Sequence, residues 1–170
     1  MNIPITNLKD LLITQLRELY NAEKQQRHIL SVMANKASVR ELRLAIKYHS
    51  EETDQHIKRL EEAFRKLDIS SFGELSQPMQ EIIKEGLDLI ERSADPEVLD
   101  VSIITTLQYL EHFEIAGYGS ACTYANELNL RSIADQLHLT LAEEKNFDFH
   151  LTEMAIQSVN EKAKAPIVTS

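Results

Sequence analysis

The stretch "QYLEHFEIAGYG", residues 108–119, decides how the chain is read. It lies in a long apolar segment with helical spacing, yet Glu111 and Glu114 stand where a buried helix would carry leucine. The stripe Val101, Ile104, Gln108, Glu111, Ile115, Tyr118, Cys122 and Ala125 recurs at steps of three and four. It predicts a helix that opens at "SADPEV", with Asp95 as N-cap and Pro96 at the first helical position, and stops near Asn129. Glu114 lies one turn from Glu111 on a neighbouring row, and the register leaves open which of the two turns inward.

Three more long helices follow the same rule. One runs from about Asn7 to Ala37, and its stripe of Leu8, Leu12, Leu16, Leu19, Glu23, Leu30 and Met33 includes a glutamate. The next opens with Ser38 as N-cap and Glu41 three residues on, the pattern of a capping box. Its stripe is Leu42, Ile46, His49, Thr53, His56, Leu60 and Leu67, with Glu52 on the border. The last, from about Arg131 to Asn160, places Glu144 and Asp148 between Leu141 and Leu151. Between the first two and the last two, "DISSFGELSQP" is turn chemistry, and Pro78 opens a short helix from Met79 to about Arg92. Helices of about 30 residues are ~45 Å long. The pattern is all-α: an antiparallel four-helix bundle, one domain over residues 1–170, with a short crossover helix between two hairpins. The tail "AKAPIVTS" (163–170) is expected to fray.

Composition narrows the function. A net charge of −9 without a basic cluster argues against nucleic acid. The start "MNIPITNLKDLL" has no basic or apolar leader, and no apolar run is long enough to span a membrane. Cys122 is the single cysteine, so no internal disulfide forms, which fits a reducing cytoplasm; it reads as a small core residue. His112, His138 and His150 read as surface positions, Tyr20 as packing or as a hydrogen bond to a carboxylate. Gly117 and Gly119, in mid-helix, suggest close helix approach or a bulge.

An internal repeat brings the acids together. "SEETDQHI" (50–57) matches "AEEKNFDF" (142–149), which aligns Glu52 with Glu144 and His56 with Asp148, while Glu23 matches Glu114. Antiparallel hairpins then set these side chains at one height. Carboxylates crowded in a leucine-rich core cannot all stay ionised alone, and a multivalent cation reverses that logic. The metal ligands expected are Glu23, Glu52, His56, Glu114, Glu144 and Asp148. Glu111 and His49 are read as further ligands or as groups that hold a ligand in orientation. Oxygen-rich ligation suits iron or manganese better than structural zinc.

The stretches "ELYNAEKQ", "YHSEETDQHIKRL", "EHFEIAGYGSA" and "LAEEKNFDFHLTEMAIQSVNEKA" resemble the YciF-like branch of the ferritin-like superfamily, small bacterial stress-associated proteins, over nearly the whole chain. The resemblance implies a ferritin-like bundle, a homodimer, and di-iron positions at Glu23, Glu52, Glu114 and Glu144. It departs from the Glu-x-x-His spacing of such sites, since His56 and Asp148 stand four residues after their glutamates. Two functions follow as expectations. One is a metal-dependent oxidoreductase acting on peroxide or oxygen; the other is a non-catalytic dimeric stress module whose metal is structural or absent. Off the core face, Tyr109, Phe113 and Tyr124 form a candidate apolar strip for a second copy.

Overall fold

The computed structural model describes residues 4–73 and 75–164. Four long helices carry the fold: α1 (Leu8–Lys36), α2 (Arg40–Leu67), α4 (Pro96–Glu127) and α5 (Arg131–Met154). The crossover helix α3 (Gln77–Arg92) packs on α4 and α1. A π-helical turn, Ala155–Val159, continues α5 into the short α6 (Asn160–Ala163). Among the described residues there is no strand. The expected tail beyond Lys164 lies outside the described residues.

The helix ends follow local chemistry. The Asn7 side chain accepts from the amide of Asp10, and Asp95 accepts from those of Glu97 and Val98. At the end of α4, Asn129 takes a left-handed φ of 56°. Its amide reaches Asn126 while the amide of Leu130 reaches Ala125, the paired bonds of a Schellman stop. One end departs from expectation. Ser38 caps nothing, and Val39 stands at the N-cap of α2 without a side-chain bond. Asp100 of α4 does the work instead: its buried carboxylate accepts from the Ser38 amide (2.8 Å), the Ser38 hydroxyl (2.5 Å) and the Val39 amide (3.0 Å). A capping box is a local device, and here an acceptor from a neighbouring helix replaces it.

The core falls into two apolar clusters. Leu12, Leu16, Leu19, Leu60, Phe64, Ala121, Ala125 and Leu137 form one. Leu30, Met33, Leu42, Ile46, Ile103, Leu107, Phe147 and Leu151 belong to the other. The early half of α1 thus meets the late halves of α2 and α4 and the early half of α5, which is the antiparallel arrangement. Between the clusters the same rows carry Glu23 and Gln26, His49 and His56, Glu111 and Glu114, and Glu144, all buried. Two glycines let helices approach. A methyl group at Gly86 would stand 2.0 Å from Cγ2 of Thr106, so α3 lies against α4 there; at Gly117 it would stand 2.8 Å from Leu19, whereas Gly119 faces open space.

Candidate metal centre

Four helices aim their polar side chains into one layer. Two ligand groups are preformed: Glu23, His56 and Glu144, and His49, Glu111 and Glu144, with Glu144 common to both. His56 Nδ1 lies 3.0 Å from Glu144 Oε1 and 3.3 Å from Glu23 Oε1. His49 Nε2 lies 3.3 Å from Glu111 Oε1 and 3.5 Å from Glu144 Oε2. Glu114 is fully buried, and neither of its oxygens has a hydrogen bond.

Both imidazoles are held from behind by a carboxylate. Nε2 of His56 stands 3.0 Å from Glu143, and Nδ1 of His49 stands 3.3 Å from Glu52. A ring N–H spent on an outer carboxylate leaves the other nitrogen for a cation. Phe147 stacks on His49 with centroids 3.9 Å apart, which fixes the ring plane. The Tyr118 hydroxyl donates to Glu23 (2.5 Å). The Gln26 amide donates to Glu111 (3.0 Å) and stands 3.1 Å from His49 Nε2.

The electrostatics follow from burial. Burial raises the carboxyls of Glu23 and Glu144, the latter to about 7, with Glu111 adding repulsion at Glu144. Glu114 is pushed well above the usual range by burial, then by Glu23, Glu144 and Glu111. Burial opposes charge on the two imidazoles, but the carboxylates outweigh it. Glu111 and Glu144 lift His49 to about 10, and Glu23 and Glu144 lift His56 to about 11.

The donor set fits a cation. Among the described residues ten buried side-chain polar atoms lack a hydrogen bond, and eight of them sit on Glu23, Gln26, His56, Glu111, Glu114 and Glu144; of the eight, His56 Nδ1 and the two Glu144 oxygens still face an imidazole or carboxylate partner at 3.0 to 3.5 Å. Orphaned atoms on this scale are costly unless something supplies a partner. Carboxylate oxygens and imidazole nitrogens suit iron or manganese.

The expected residues divide. The structure brings Glu23, His56, Glu114 and Glu144 together, with His49 and Glu111 fully inside the layer. Glu52 lies outside the two ligand groups, 18% exposed, and reaches the centre only through His49. Asp148 also points away, toward Gln108 (3.2 Å) and His112 (3.3 Å). The cause is register. The buried rows are 49, 53, 56, 60 in α2 and 140, 144, 147, 151 in α5, so Glu144 corresponds in position to Thr53, not to Glu52. Aligning the acids by identity slips the repeat by one residue. Gln26, Glu143 and Tyr118 were not singled out as site residues. Gln26 and Tyr118 share rows with Glu23 and Glu114, and that spacing was the available signal. Tyr20 bonds Glu61 at the surface, away from the centre.

A helical bundle whose core layer is built of glutamate and histidine belongs to the ferritin-like class. Comparison narrows this further: residues 7–164 match the family described as "Domain of unknown function (DUF892)", and the chain belongs to that family. It is 35% identical to Protein YciF of Escherichia coli K12 over 158 residues, covering 92% of this chain and 95% of that one. The crystal structure of that E. coli stress protein superposes with a TM-score of 0.87 at 34% identity, over 92% of this chain and 99% of the other. YcfI of Rhodopseudomonas palustris gives 0.86 at 35% identity, over 89% and 97%. A Xanthomonas campestris protein, 19% identical with a TM-score of 0.72 over 94% and 100%, shares the fold. No helix among the described residues is long and apolar enough to cross a membrane.

Proposed function

We propose that this chain is a di-metal carboxylate protein, binding two iron or manganese ions in the layer between the apolar clusters and reducing peroxide or oxygen. The observation that carries the reading is the convergence of two ligand groups on the shared Glu144, beside a Glu114 whose two buried oxygens have no hydrogen-bond partner. Glu23 and His56 would hold one ion, and Glu111 and His49 the other. Glu144 would serve both, and Glu114, pressed by acids of both groups, would be the second shared carboxylate. Two divalent ions held there would supply the two electrons that reduce peroxide to water or oxygen to peroxide, each ion passing from the +2 to the +3 state. Glu143 and Glu52 orient the imidazoles, and Tyr118 and Gln26 orient the terminal glutamates. The leucine layers above and below exclude bulk water.

The inner ligands are fully buried, which supports a second reading in which the metal only ties the helices together. In either case we expect a homodimer in the bacterial cytoplasm. Tyr109 is exposed on α4, although Phe113 and Tyr124 of the expected strip are half-buried against the core, and the single cysteine Cys122 is buried. Metal analysis of protein purified without chelator, beside Glu144→Ala, tests the first claim. About two ions per chain, lost in the variant, is the expected result. No metal after anaerobic iron loading sinks it. Metal without peroxide or oxygen consumption leaves the structural reading, and sedimentation decides the dimer.

A further inference from the structure

The two ligand groups are matched in their inner residues. Each has one imidazole nitrogen and one terminal glutamate, and each shares Glu144, with Glu114 adjoining both. They are not matched one layer out. Behind His56, Glu143 is gripped by Arg59: Nη1 of the guanidinium pairs with Oε2, Nη2 donates to Oε1 at 3.1 Å, and Nη1 also donates to Thr140 at 3.0 Å. The oxygen that takes Nη1 is the same Oε2 that faces His56 Nε2 at 3.0 Å. The cluster is sheltered, with Arg59 16% and Glu143 24% exposed, so solvent screens it only in part. Behind His49, Glu52 meets the ring at 3.3 Å, and among the described residues no arginine or lysine pairs with it.

An outer carboxylate strengthens an imidazole ligand by drawing on its N–H. A guanidinium bound to that carboxylate draws the same electron density the other way and adds a positive charge near the ion. Resting on the di-metal reading, we propose that the two positions are unequal: the ion at His49 is bound first and more tightly, and the ion at His56 is the weaker, exchangeable one, because Arg59 neutralises the carboxylate behind His56. Arg59 is thus a positioning residue that sets the order of loading.

The test uses the full chain and cobalt(II), whose binding is read by calorimetry and whose contact-shifted imidazole N–H resonances identify the ligating histidine. Wild type is expected to load in two steps, about tenfold apart, the scale on which outer carboxylates tune affinity. At one equivalent the shifted N–H belongs to His49 and moves in Glu52→Gln, not in Glu143→Gln. Arg59→Gln tightens the second step several-fold and leaves the first alone, while Arg59→Lys, which keeps the charge, retains the wild-type gap. Two equal steps, a first N–H that responds to Glu143→Gln, or an Arg59→Gln isotherm with an unchanged or weaker second step overturns the ranking while leaving the di-metal reading standing. No cobalt bound by wild type overturns both. If Arg59→Gln fails to fold, the one-equivalent spectra of wild type, Glu52→Gln and Glu143→Gln still decide the order.

Discussion

Replacing Glu114 by methionine should stabilise the metal-free protein and destabilise the loaded one. Glu114 is fully buried, neither oxygen has a partner, and Glu23, Glu144 and Glu111 press on it. A buried polar group without a hydrogen bond costs about 1–3 kcal/mol, and exchanging buried ionisable groups for apolar ones of similar volume often gains about 1–4 kcal/mol. Methionine fills nearly the same space and has no charge to desolvate, so a gain of about 2 kcal/mol is expected. For a chain of this length that is a rise in Tm of about 4–8 °C. Metal reverses the order. A ligand at a hundred times its Kd stabilises the native state by about 2.7 kcal/mol, and Glu114→Met forfeits most of that. Thermal unfolding followed by circular dichroism, once with chelator and once with manganese(II), gives both numbers. A variant that melts below wild type in chelator would refute the reasoning. Glu114 would then be a satisfied member of a structural polar core, and the orphaned oxygens would be no sign of a missing cation.

Further predictions concern protons and packing. Glu144, His49 and His56 all bind protons more tightly folded than unfolded, with pKa values raised to about 7, 10 and 11. Their contribution is complete below the unfolded values and is lost as pH rises through the folded ones, so Tm in chelator should fall between pH 6 and 9, and a flat or rising profile there would count against a proton-loaded centre. Asp100→Ala removes the acceptor shared by three donors at the start of α2 and should cost about 3 kcal/mol in a urea titration; a loss under about 1 kcal/mol would mean that water replaces the carboxylate. Gly86→Ala gains about 1 kcal/mol of helix propensity but forces a methyl group onto Thr106, so a net loss of about 1–2 kcal/mol is expected, and a stabilised variant would show that α3 shifts freely on α4.

Most of the fold was readable from periodicity. The stripes of α1, α2 and α4, the Asp95 cap and the stop at Asn129 are local signals, and the structure follows them; the stripe of α5 holds at Leu137, Leu141, Glu144 and Leu151 but not at Asp148, whose place on the buried row is taken by Phe147. The N-terminus of α2 was not readable, because its acceptor, Asp100, comes from a helix 62 residues further along the chain. The π-helical turn at Ala155–Val159 leaves no mark in composition or spacing. At the centre two signals competed. The helical stripe had already put His49 and His56 with Thr53 on the inward row of α2, while the identity-based repeat put Glu52 there. A shift of one residue on a helix turns a side chain by about 100°, enough to move Glu52 from the inner row to a place behind His49. In α5 the spacing of four from Glu144 fits Asp148 and the spacing of three fits Phe147, and the apolar ring is the one that packs inward.

On the di-metal reading, the charge balance would let one core accommodate the centre both with and without cations. Glu23, Glu111, Glu114, Glu144, His49 and His56 face a space sealed by leucine layers. With both imidazoles protonated, two carboxylates are balanced and the remaining two must hold protons, the direction in which burial drives Glu114 and Glu144. With two divalent ions, all four carboxylates ionise, the imidazoles are neutral, and the sum is again zero. Either state avoids a buried net charge. On the di-metal reading, protons and metal ions would be alternative occupants of one layer. Protons do not satisfy every oxygen: neither oxygen of Glu114 has a hydrogen-bond partner. That leaves Glu114 open to a cation, and on the di-metal reading the asymmetry of Glu52 and the Glu143–Arg59 pair would decide which cation position fills first.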